Sequence, residues 1–203
     1  MKILLIGLFF LSSYLNARGS VNNQQLTKFA DLDHNGTVEK IVLERDNSGW
    51  CVCVFGDSLE LRLPIEEASL NPIYINTSVS TFIVKDIDHD GEIEICVSWE
   101  SPLFANRANL LVSILDNSTK KLSLKKFRYG TSKEFYDTLV SLGGLFYIDI
   151  EDASIYFLSG TIIFENADGE PFSYYKVTKY KWNSELKEYL FQGYHLLRDT
   201  EER

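Results

Sequence analysis

Two stretches of this chain are near copies of one another. FADLDHNGTVEKIVLE and VKDIDHDGEIEICVSW align without a gap, and their first aspartates, Asp31 and Asp86, lie 55 positions apart. In each, Asp or Asn side chains stand at alternate positions, a glycine follows, and a β-branched apolar run begins within a few residues. Self-similarity of this kind points to repeated supersecondary units that bury their apolar faces on one another. The run after each loop has strand character, so the unit is a loop feeding a strand. YIDIEDASIYF, around Asp149, reads as a decayed third copy; it lacks the glycine and the spaced acids and is not counted as a metal site.

The rest of the chain continues in the same manner. Strand-like runs are predicted at 38–45, 50–55, 93–99, 110–115, 122–127, 146–150, 154–157, 161–165, 172–182 and 187–194. Asp46-Asn47-Ser48-Gly49, Asp116-Asn117-Ser118-Thr119 and Asn183-Ser184 supply turns between them. An aromatic share of 13% with only four prolines favours strands over helices. One short helix is predicted over 132–142, with Ser132 as cap, Glu134 and Asp137 near its positive end, and Phe135, Leu139 and Leu142 at helical spacing. Gly143-Gly144 would stop it. The expected fold is mainly β, built from antiparallel hairpin repeats.

The N-terminus has its own pattern. Lys2 precedes the apolar run 3–11, and a polar, small stretch follows to Ala17, the order of a secretory signal peptide. The run is too short to cross a bilayer, which takes about 20 residues, and no other segment reads as a span. The expected organisation is a signal peptide at 1–17, one β-rich domain at 18–197 and a charged tail at 198–203, in a periplasmic or secreted protein. The net charge of −9 argues against a nucleic-acid partner, which needs a basic patch to release counterions. The nearest approach to one, Lys120, Lys121, Lys125, Lys126 and Arg128, alternates with Leu122 and Leu124 and reads as a solvated strand face. Cys51 and Cys53 share a strand face, and either could bridge to Cys96. An odd count allows at most one internal disulfide, and Cys-x-Cys lacks partners at zinc spacing.

The loops carry the chemistry. Asp31, Asp33 and Asn35 take positions one, three and five of the first, with Gly36 at six, Thr37 at seven and Glu39 at nine; Asp86, Asp88, Asp90, Gly91, Glu92 and Glu94 match them in the second. Calcium takes six to eight hard oxygens, and alternating Asp and Asn on a tight loop can all turn inward. The backbone carbonyls of Thr37 and Glu92 would add to them. Leu32 and Ile87 at position two, and Val38 and Ile93 at position eight, are expected to anchor the loops in the core. An EF-hand needs a glutamate at position twelve and a following helix; position twelve is Val42 or Val97, inside a strand, so that reading fails. The competing reading is a pair of acidic hairpin turns. His34 and His89 fall at position four and should face solvent. Asn35 gives the first loop one fewer charge, so it should bind more weakly. Asn35, Asn76 and Asn117 also open glycosylation sequons.

Asp-x-Asp-x-Asp/Asn-Gly-x-x-Glu leading straight into a strand resembles the calcium loops of the FG-GAP and VCBS repeats of integrin-type β-propellers. The resemblance covers two segments of about a dozen residues each and implies two calcium sites and a partial or small β-propeller-like array. The C-terminal YKVTKYKWNSELKEYLF more loosely resembles propeller-related periplasmic proteins such as lysozyme inhibitors. No nucleophile elbow, zincin motif or phosphate loop is present, and Tyr174, Tyr175, Tyr180 and Trp182 are better explained by strand pairing than by sugar stacking. The expected function is an exported, non-catalytic module for a protein or glycan partner, braced by calcium. The alternatives are an extracytoplasmic hydrolase using Asp88 and Glu94 as acid and base, or a purely structural calcium-stabilised subunit.

Overall fold

The computed structural model describes residues 26–46, 49–57, 59–65, 79–100, 108–129, 134–141, 146–165 and 171–198. The signal peptide expected at 1–17, the Asn76 sequon and the last five residues lie outside them. The described residues form strands and no helix.

Three four-stranded antiparallel meanders follow one another along the chain. The first is β1 (Leu26–Ala30), β2 (Glu39–Asp46), β3 (Gly49–Phe55) and β4 (Glu60–Pro64). The second is β5 (Val79–Lys85), β6 (Glu94–Glu100), β7 (Ala108–Asp116) and β8 (Lys121–Leu124). Then come the short strands β9 (Lys126–Arg128), β10 (Phe135–Tyr136) and β11 (Leu139–Ser141). The third meander is β12 (Phe146–Asp149), β13 (Ser154–Glu165), β14 (Pro171–Asn183) and β15 (Glu188–Arg198). β9 joins the third sheet beside β15, in parallel, and β10 extends that edge. Each sheet is open. In all three meanders the connection between first and second strands is the acidic segment, at 31–38, 86–93 and 150–153. The segment around Asp149, read from the sequence as a decayed third copy, therefore occupies the same place in its meander as the two loops do in theirs.

The middle sheet is buried on both faces. Along β6, Ile95, Val97 and Trp99 pack toward the first sheet against Ile41, Leu43, Val52 and Val54. The alternate Cys96 joins Leu110 and Val112 of β7 in packing toward the third sheet, against Phe127, Ile155, Tyr180 and Tyr189. Because strand side chains alternate, one apolar run serves two cores at once. β1 lies beside β5 and β4 beside β8, so the first two sheets stack first strand to first and last to last.

The helix expected over 132–142 is not formed. Its described part is the two strands β10 and β11, with Leu139 and Ser141 buried and Val140 exposed, a period of two. The reason is an open edge. β8 covers β7 only from Ser113 to Asp116, and Leu139-Val140-Ser141 pairs with the uncovered Ala108–Leu110 portion. A helix of about eleven residues is marginal in isolation, and tertiary pairing overrides it. The strand expected at 122–127 also breaks, at Lys125, which separates β8 in the second sheet from β9 in the third. The runs at 154–157 and 161–165 fuse into β13, with a register shift between Leu158 and Gly160.

Candidate functional site

The first loop closes by hydrogen bonds from its own backbone. Asp31 accepts from the Asn35 amide at Oδ1 (3.0 Å) and the Gly36 amide at Oδ2 (3.0 Å). Glu39, buried at 2% exposure, reaches back to accept from the Leu32 amide at 2.7 Å. Gly36 has φ +86° and His34 φ +55°, so the reversal needs two residues in the left-handed region. Leu32 sits in the core, whereas Val38, expected to anchor the loop, is 62% exposed. The core position falls to Ile41 instead, because β2 begins at Glu39 with that side chain turned inward. Carboxylate oxygens of Asp31, Asp33 and Glu39 lie within 4.8 Å of one another. Among the described residues their cation partner is Lys120, from the β7–β8 turn of the neighbouring sheet; it stands 3.3 Å from Asp33 Oδ2 and is 54% exposed. Gly56 backs the site: a Cβ there would come within 3.2 Å of Glu39 Cγ.

The second loop repeats this frame. Asp86 accepts from the His89 and Gly91 amides, Glu94 from the Ile87 amide at 2.8 Å, and φ is +62° at His89 and +88° at Gly91. Ile87 is buried and Ile93 half-buried against the core. The surroundings differ. Lys125 projects from the crossover between sheets into the loop and brings its ammonium to 2.6 Å from Asp88 Oδ2 and 3.0 Å from Asp90 Oδ2. Glu94 Oε1 lies 2.7 Å from the same Nζ, an ion pair outside hydrogen-bond alignment. Lys125 was expected on a solvated face; its side chain is 3% exposed. The correction has a local cause. Its amide donates to the Val112 carbonyl at 2.9 Å, which holds the chain against β7 as it leaves the sheet and turns the side chain inward. Tyr189 donates to Asp88 Oδ2 at 3.2 Å, Trp182 lies under the ammonium at 4.0 Å, and Lys187 stands 3.9 Å from Asp90.

The electrostatics follow from this burial. Desolvation raises the Asp88 carboxyl despite Lys125, and pushes Glu94 up to about 7 against the opposing pull of Lys125 and the Ile87 amide. Burial opposes ionisation of Asp90 too, but the Glu92 amide and Lys125 outweigh it and lower that group. For Lys125, burial pulls downward while Asp88 and Glu94 pull harder, leaving it at about 12 and charged.

In the third connection, Asp152 is held by Lys179 at 2.5 Å and Lys181 at 2.7 Å. Those bonds lower its carboxyl below the usual range. A depressed acid stabilises the fold above its unfolded value of 3.8, and that contribution fades as pH falls toward the folded value. Asp152→Asn should therefore cost about 0.5–1 kcal/mol at pH 7, discounted for partial exposure. The gap between variant and parent in urea denaturation should shrink steadily below pH 3.8. A gap unchanged between pH 7 and pH 2 would rule this out.

Asp31, Asp33 and Glu39 are thus brought together; in the second loop Asp86, Asp88 and Asp90 likewise have carboxylate oxygens within 4.8 Å of one another, while Asp88, Asp90 and Glu94 share Lys125. Asn35 accepts from the Thr37 amide at 2.7 Å, as Asp90 does from the Glu92 amide at 2.9 Å. His34 and His89 are exposed, as expected at position four. The three cysteines are free thiols. Cys96 faces the core between the second and third sheets, while Cys51 and Cys53 share a separate buried cluster with Val42, so neither makes the bridge to Cys96 that the sequence allows. Tyr180 and Trp182 are core residues. Alternation alone hides the role of Lys125, although the sequence carries a signal for it. Leu122 and Leu124 are in phase, Phe127 is not, and the slip at 125–126 marks a strand break.

Compared with known proteins, the chain matches no family model, no curated protein and no solved structure.

Proposed function

We propose that this is an exported, non-catalytic binding module whose first acidic loop takes calcium to stiffen a β scaffold for a protein or glycan partner. The observation that carries the proposal is the convergence of Asp31, Asp33 and Glu39, whose carboxylate oxygens lie within 4.8 Å of one another beside one exposed lysine. The donor set fits the ion: hard oxygens with net negative charge, on a loop already closed by its own amides. Calcium there would neutralise three converging carboxylates and lock β1 to β2.

Three consecutive four-stranded meanders, each with its acidic segment between first and second strands, support a propeller-like array of FG-GAP or VCBS type. So does the stacking of first strand on first and last on last. Export rests on the apolar run at 3–11. The hydrolase alternative draws no support from the site, since the side chains of Asp88 and Glu94 have no exposed surface and are paired with Lys125.

Calorimetric titration of the purified chain tests the metal reading. Calcium should bind and raise the melting temperature by an amount equivalent to about 2.7 kcal/mol at a hundredfold excess over Kd, and Asp33→Asn should abolish both effects. Equal melting in calcium and in chelator would sink the proposal.

A further inference from the structure

We infer that Lys125 stands in the second loop where a calcium ion would stand, so that this loop is braced by a tethered ammonium and takes no metal. The inference rests on the reading of these loops as calcium-type loops and sets the second apart from the first.

Three observations on separate elements carry it. The oxygens nearest Nζ come from Asp88, Asp90 and Glu94, positions three, five and nine of the loop, at 2.6, 3.0 and 2.7 Å. Those are three of the positions that would ligate calcium, and Asp88 and Asp90 belong to the converging acid group, so the ion and the ammonium compete for one place. The ammonium is also fixed there. Its side chain is 3% exposed, lies over Trp182 at 4.0 Å, and comes from a backbone pinned to Val112. An exposed lysine such as Lys120 beside the first loop can swing into water when an ion arrives; Lys125 would have to leave a core. Part of the loop's charge is offset without a metal, since Lys125 and the more distant Lys187 face Asp88, Asp90 and Glu94. A divalent ion beside a retained ammonium would meet strong repulsion in a desolvated space.

In the third connection Lys179 and Lys181, 20% and 44% exposed, hold Asp152.

The test uses the full chain with the first loop silenced by Asp33→Asn. Calcium should leave its melting temperature unchanged to within a degree, and calorimetry should show no binding event; a shift or an event that Asp90→Asn removes would overturn the inference. The double variant Asp33→Asn/Lys125→Met should melt lower than Asp33→Asn in chelator and recover with calcium. Failure of a folded double variant to recover would also overturn it. Should the double variant stay unfolded in both conditions, the Asp33→Asn measurement decides. These outcomes separate from the proposed function: a wild-type chain indifferent to calcium removes the first site, while calcium rescue of the Lys125 variant still supports the tethered cation.

Discussion

In calcium-free buffer, Lys125→Met lowers stability by about 3–5 kcal/mol, the cost expected when one partner of a buried ion cluster is deleted and its carboxylates are left unpaired. Methionine keeps most of the length and apolar bulk of the side chain but removes the ammonium over Trp182, so the loss reports the charge, cation–π contact included. For a chain of this size each kcal/mol moves the melting temperature by about 2–4 °C, so the midpoint should fall by about 10 °C or more. Adding Asp88→Asn or Asp90→Asn to Lys125→Met should restore part of the loss, because each removes one orphaned charge. In the parent each of those changes is costly by itself. A double-mutant cycle in urea with additive effects would show that the acids are not coupled to Lys125. A loss below about 1 kcal/mol for Lys125→Met would mean that the cluster behaves like a surface pair.

Tyr189→Ala should be comparably severe. The ring is fully buried, stacks on Phe127 at 5.3 Å and meets Trp182 at 5.0 Å, and its hydroxyl donates to Asp88. Truncation leaves a large cavity between the second and third sheets, costing about 3–5 kcal/mol. Tyr189→Phe keeps the ring and removes only a hydrogen bond to a charged acceptor, about 1–3 kcal/mol. The ordering alanine, phenylalanine, parent in chemical denaturation separates packing from the polar contact. Equal losses for the two variants would put the whole effect in the hydroxyl.

Several elements are legible in the order of residues alone. β3, β6, β14 and β15 fall close to the predicted runs because alternation and flanking turns are local properties. The loop frame is also legible: aspartates at alternate positions, glycine at six and glutamate at nine define the closures that Glu39 and Glu94 make. β1 carries no such signal, because Thr27, Lys28 and Phe29 are all exposed and show no alternation. Residues 132–142 read as helix because Phe135, Leu139 and Leu142 fall at helical spacing between a serine cap and a glycine stop, and nothing local reveals that β7 has an uncovered edge to be paired. Cysteine placement is equally hidden, since which face of a strand meets which core depends on neighbouring sheets.

The paired loops themselves are a property of the sequence. Side-chain type and spacing within nine residues suffice to bring Asp31 with Asp33 and Glu39, and Asp86 with Asp88 and Asp90, because the turn closes on its own amides. What faces each loop is not. Counting charges within the loops ranks the second as the stronger cation site, since Asp90 stands where the first has Asn35. Packing the second sheet against the third delivers Lys125, 31 residues beyond Glu94, to oxygens that no solvent reaches, which on our proposal reverses that ranking. The acids were fixed by local covalent order; their cation was chosen by the way two sheets meet.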